Sequence, residues 1–209
     1  MGQIIAVAQQ KGGAGKTMIA AQFGAALAEQ GRVALLDIDP QGSLTAWGRL
    51  REGAAKANPA LEVIAVSGWR LANELEKLKS THDYVLVDTP PVIDSDARRA
   101  IRGADLVLVP MNPAPPDLWA AEGTLKLAAE ERRPAALLFN RAPAASKLRK
   151  RLEAEIAARR LTLLPVALAN RAGYANAFAG GLGVTEAGAT TQAAEEVRAA
   201  VQALRALLG

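Results

Sequence analysis

Seven short runs of nearly unbroken apolar residues alternate along the chain with longer stretches in which apolar positions return every three or four residues. The runs are residues 4–8 (IIAVA), 33–39 (VALLDID), 61–66 (LEVIAV), 84–88 (YVLVD), 105–110 (DLVLVP), 135–140 (AALLFN) and 161–166 (LTLLPV). A strand with one wet face alternates apolar and polar side chains. A run without alternation is covered on both faces, as in a parallel sheet packed between helices. The periodic stretches predict helices near 16–30, 43–53, 69–80, 95–102, 116–131, 145–160 and 190–208. The last places Val197, Val201, Leu204 and Leu208 on one stripe. Strands and helices in alternation, joined by right-handed crossovers, make an α/β fold: doubly wound, with a mostly parallel sheet flanked by helices. Glycine-rich residues 170–189 are expected to form a loop with one short helix. No repeat or low-complexity linker divides the chain, so residues 1–209 are read as a single domain.

Composition narrows the chemistry. The chain has no cysteine, which excludes disulfides, thiolate zinc sites and iron–sulfur clusters. It has one histidine, His82, too few for a histidine metal site, and the sequence reading makes His82 a surface residue before a strand. A net charge of +4 permits an anionic partner without requiring one. No N-terminal targeting pattern precedes the first strand, and no apolar run reaches the ~18 residues that span a bilayer. A cytoplasmic protein is expected.

The chemistry concentrates at QQKGGAGKTM, between the first strand and the first helix. Gly12, Gly13 and Gly15 let the backbone turn so that successive N–H groups meet one anion, and the helix N-terminus adds its partial positive charge. Lys16 is placed for the β- and γ-phosphates of a nucleotide, and Thr17 supplies a hydroxyl for Mg²⁺. The usual G-x-x-x-x-G-K-[ST] spacing would put glycine at position 10, where this chain has Gln10. The loop is therefore a deviant form with an extra lysine, Lys11. Lys11, Gly12, Gly13, Ala14, Gly15, Lys16, Thr17 and Met18 make up the candidate nucleotide-binding run.

Three acids fall at strand ends, where ligands of a parallel sheet collect. Asp88 closes YVLVD as a Walker B carboxylate that holds Mg²⁺ through water. Asp37 and Asp39 alternate in LLDID and are expected on one face. They are either part of the site or formers of the Pro40–Gly42 turn. Asp94 or Ser95 fits the N-cap of the next helix.

On these motifs the chain resembles the ParA/MinD group of deviant Walker ATPases, most of all small ParA-type partition ATPases without an N-terminal helix-turn-helix domain. The resemblance implies a P-loop NTPase using ATP and Mg²⁺. It gives Lys11, Lys16 and Asp39 catalytic roles. Lys11 reaches across a homodimer to the partner's phosphates, much as an arginine finger does. Asp39 orients the attacking water, and Asp37 supports the metal from the second layer. Asn140 and Arg141, just past a strand, contact adenine, or else are simply polar turn residues. The resemblance also implies nonspecific double-stranded DNA binding by the ATP-bound dimer, a ParB-like or other adaptor that stimulates slow hydrolysis, and a nucleoid-associated location.

Charge is uneven. Residues 141–171 hold eight Lys or Arg against two acids. With Leu148, Leu152 and Ile156 expected inward, Lys147, Lys150 and Arg151 project outward, and Arg171 lies nearby. This is a candidate surface for DNA phosphates, against the alternative of an ordinary solvated helix. A MinD-like membrane-cycling regulator is the rival reading. The C-terminal helix speaks against it, being charge-balanced and without bulky aromatics.

Overall fold

The computed structural model describes residues 2–92, 94–143 and 146–209. Its strands are β1 (Gln3–Val7), β2 (Val33–Asp37), β3 (Leu61–Ala65), β4 (Tyr84–Asp88), β5 (Leu106–Met111), β6 (Ala135–Phe139) and β7 (Thr162–Leu163). They form one sheet in the order β3-β2-β4-β1-β5-β6-β7, with every pairing parallel. The unbroken apolar runs have the predicted cause, since β2, β4 and β5 are buried at every position.

The helices are α1 (Lys16–Leu27), α2 (Ser43–Glu52), α3 (Leu71–Thr81), α4 (Ser95–Gly103), α5 (Pro115–Glu130), α6 (Lys147–Ala158), α7 (Ala172–Ala179), α8 (Val184–Ala187) and α9 (Gln192–Leu208). Side chains of alternate strand residues enter two cores. Ile5, Val7, Leu35 and Leu86 pack with α1, α2, α7, α8 and α9, whereas Ile4, Ala6, Leu36 and Val87 pack with α3 to α6. Central β1 is flanked by β4 and β5, and the chain leaves it toward β2 on one side and later enters β5 on the other. This is the switch point at which a doubly wound sheet opens a crevice above its strand ends.

Three elements depart from expectation. Residues 161–166 give only a two-residue β7, because β6 offers it just Ala136 and Leu137 before the chain reaches Pro165, which has no N–H to donate. Residues 170–189 hold two helices, α7 and α8, rather than one. The helix expected from 145 starts at Lys147, and residue 145 lies outside the described residues. The predicted stripe of α9 does turn inward: Val197, Val201 and Leu204 are buried, and Leu208 packs partly against the same core.

A buried ion pair ties α2 to α8. Arg51 donates to both carboxylate oxygens of Glu186, at 2.7 and 2.6 Å, and both side chains are only 6% exposed. The chain approaches this pair through Gly181, whose φ is 70°. A Cβ there would lie 2.5 Å from Leu50 C, so glycine is required twice over.

Candidate functional site

Beyond β1 the chain reaches α1 through the glycine loop. Gly13 and Gly15 take φ of 78° and 93°, the left-handed region where a side chain costs about 1 kcal/mol or more. α1 starts directly at Lys16 with Gly15 as its N-cap, so the unpaired N–H groups of its first turn open onto the loop.

Lys16 is 7% exposed. Burial depresses the pKa of its ammonium, against the opposing pull of Asp88 and Asp39. Thr17 Oγ1 donates to Asp88 Oδ2 at 2.6 Å. Asp88 Oδ1 is buried and has no hydrogen-bond partner among the described residues. Burial raises the Asp88 carboxyl to about 7; the Thr17 hydrogen bond works against this, and nearby Asp37 adds to it. A hydroxyl beside a buried carboxylate with one unsatisfied oxygen is a donor set that suits Mg²⁺, a hard cation that prefers oxygen and keeps part of its water shell.

β2 ends at Asp37, so Asp39 lies just past the strand, and both carboxylates come near enough to Asp88 to raise its carboxyl. Asp37 Oδ2 accepts from Thr45 N (2.7 Å) and Thr45 Oγ1 (2.8 Å), and its Oδ1 accepts from Asp39 N (3.1 Å). Its carboxylate braces the turn that carries Asp39 and lies near enough to Asp88 to help push that carboxyl up. Asp39 sits beyond the strand and accepts from Gln41 N at 3.0 Å. Asp94 caps α4 by accepting from Asp96 N and Ala97 N.

Lys11 stands apart from Lys16. Its side chain is 42% exposed, and Nζ donates to Asp117 Oδ2 at 2.8 Å. Asp117, in the first turn of α5, is buried and also accepts from Asn112 N and Nδ2. Sequence reasoning missed Asp117, since an acid in a first turn is an ordinary companion of the helix dipole.

Asn140 Nδ2 donates to Ala14 O (3.0 Å), and Arg141 Nη1 donates to Gly13 O (3.1 Å). The two residues expected at adenine therefore brace the glycine loop from β6. They also line a crevice of about 110 Å³ together with Met18, Gln22 and Tyr174.

The basic surface is smaller than its residue count. Lys147, Lys150 and Arg151 are exposed. Arg149 pairs with Glu153, Arg159 with Glu122, and Arg171 with Glu196 at 2.6 Å. Leu148 is 45% exposed rather than inward, while Leu152 and Ile156 are buried. His82 is likewise corrected: it is buried, with Nε2 2.7 Å from Glu62 Oε1.

Residues 5–184 match the CobQ/CobB/MinD/ParA nucleotide binding domain. The chain belongs to this family. Among its ParA-like relatives is the maintenance of carboxysome distribution protein A of Halothiobacillus neapolitanus, 32% identical over 198 residues, or 92% of this chain and 91% of that protein. The protein ParA of Rhizobium radiobacter is 38% identical over 133 residues, 61% of this chain and 57% of its own. An aspartate-to-alanine variant of Cyanothece McdA in complex with ATP has the same fold, with a TM-score of 0.80 at 19% identity, covering 100% of this chain and 96% of that one.

Proposed function

We propose that this ParA/MinD-family chain is an ATPase that closes face to face with a second copy around two Mg·ATP and holds nonspecific DNA while paired. The observation that carries the reading is the different placement of two lysines on one loop. Lys16 is buried beside Asp88 and Thr17, whereas Lys11 points away to a half-exposed pairing with Asp117. In this reading Lys16, Thr17 and the loop N–H groups hold the chain's own phosphates, and Thr17 and Asp88 hold Mg²⁺. Asp39 orients the attacking water. Met18, Asn140 and Arg141 border the base. Lys11 leaves Asp117 to neutralise charge on the partner's triphosphate. An adaptor protein stimulates hydrolysis, the dimer opens, and the chain leaves the DNA.

The cargo we infer is a large protein assembly. Support comes from likeness over nine-tenths of both chains to a carboxysome-distribution protein. Cytoplasmic, nucleoid-bound cycling fits better than membrane cycling, because the apolar stripe of α9 is buried and no described helix is long and apolar enough to cross a membrane. DNA retention measured with ADP, ATP and a non-hydrolysable analogue tests the proposal. Retention with ATP and the analogue, coincident with dimers in light scattering, is expected. Equal retention with all three would overturn it.

A further inference from the structure

Gly123 lies in the interior of α5, where glycine is the poorest helix former after proline. Its bare Cα faces the phosphate loop. A Cβ there would overlap the side-chain amide of Gln10, with Cδ and Oε1 each 2.6 Å away. Glycine therefore leaves a notch in α5, and the Gln10 amide lies in it.

Gln10 immediately precedes Lys11, and its neighbours lean on the same segment. Gln10 N donates to Gln9 Oε1 at 2.9 Å, and Gln9 Nε2 donates to Pro110 O at 3.4 Å. Lys11 reaches Asp117. Three consecutive residues thus rest on β5 and α5. The next stretch, Gly13 and Ala14, rests instead on Arg141 and Asn140 beyond β6. The loop is held from two sides, and the Lys11 side is keyed by a steric contact between residues over a hundred positions apart.

We propose that Gly123 is a positioning residue for Lys11: with Gln10 seated in the notch, the backbone at Lys11 is fixed, its ammonium is kept at Asp117, and it is aimed away from the chain's own phosphate cradle. The resting half of this device stands by itself. Only its consequence for pairing rests on the function proposed above.

The test is the rate of reductive methylation of Lys11 in nucleotide-free protein, followed with isotope-labelled formaldehyde and assigned through Lys11→Arg. Gly123→Ala introduces a better helix former opposite a flexible side chain, so its Tm is expected at or above wild type and its ATP affinity within about twofold. Lys11 methylation is expected to rise about threefold, the scale of losing a half-exposed ion pair, and pairing to need less ATP. Gln10→Ala alone empties the notch without touching α5 and should loosen Lys11 in the same direction. The double variant Gln10→Ala/Gly123→Ala, in which a methyl refills the notch, should restore both readouts. A wild-type methylation rate in Gly123→Ala, or a raised rate that the double variant does not correct, overturns the proposal. If methylation responds as expected while wild-type protein never pairs on ATP, the notch stands and the dimer reading falls.

Discussion

Asp88 and Lys16 are both pushed toward neutrality by burial, and that makes the nucleotide-free protein sensitive to pH. Folded Asp88 keeps its proton to about pH 7, whereas the ordinary carboxyl releases it near 3.8. In that window the folded state binds more protons than the unfolded one, so stability falls as pH rises from about 4 to about 7 and then levels off. Urea unfolding in EDTA should register this decline, on the order of a few kcal/mol, and Asp88→Asn should flatten it. Mg²⁺ selects the ionised carboxylate, so Mg·ATP affinity should strengthen through the same range. The lysines separate by assay. Lys16→Ala should abolish ATP binding in calorimetry, whereas Lys11→Ala should bind ATP and fail to pair in light scattering. The Lys11–Asp117 bond is half exposed on the lysine side and so worth about 1 kcal/mol or less, a barrier that binding energy in a dimer can overcome. Asp117→Asn should lower the ATP concentration needed for pairing; an unchanged midpoint would count against release of Lys11 as a step.

At the scale of elements, the α2–α8 contact depends on a buried charge pair. Arg51→Ala strands the Glu186 carboxylate and should destabilise the fold by about 3–5 kcal/mol, whereas Arg51→Met with Glu186→Leu should cost far less. Urea midpoints measure both. This contact joins residues 135 apart in the chain, and it marks the limit of what the sequence made legible. Strands buried on both faces write themselves as apolar runs, and glycine, lysine and threonine in the loop are neighbours in sequence, so the sheet and the phosphate cradle could be read directly. Asp117 lies 106 residues from Lys11, and nothing local distinguishes it from any first-turn acid. The bracing of the glycine loop by Asn140 and Arg141 was invisible for the same reason, since a residue past a strand can brace a loop or face a ligand with identical local sequence. Leu148 was misplaced because periodicity was counted along the chain, while overhang at the start of α6 is decided in space, as is the pairing of Arg171 with Glu196.

For the whole molecule, net charge is a poor guide to where a polyanion would lie, because three cations of the basic segment, Arg149, Arg159 and Arg171, are tied to carboxylates. Lys147, Lys150 and Arg151 remain on the outer surface of α6. Lys150→Glu with Arg151→Glu should weaken DNA retention and make its salt dependence shallower, by roughly one counterion per removed cation. Arg171→Glu should act differently. It breaks the pair with Glu196, which also accepts from Tyr174 and from Ala169 N, so thermal stability should fall with little selective change in the salt slope. Titrations at several salt concentrations separate the two effects. If Arg171→Glu flattens the slope as strongly as the α6 variant, the DNA surface extends to α7.

The two margins of the sheet constrain how copies of the chain can assemble. On one side the sheet stops at β7, two residues long. On the other it stops at β3, where Glu62 holds a half-exposed carboxylate beside the buried His82. A short margin and a charged one both discourage a neighbouring chain from adding its own strand. Any higher-order array of this protein would therefore have to grow through its nucleotide end or its helical flanks, and its backbone hydrogen bonding would be the same in the array as in the lone molecule.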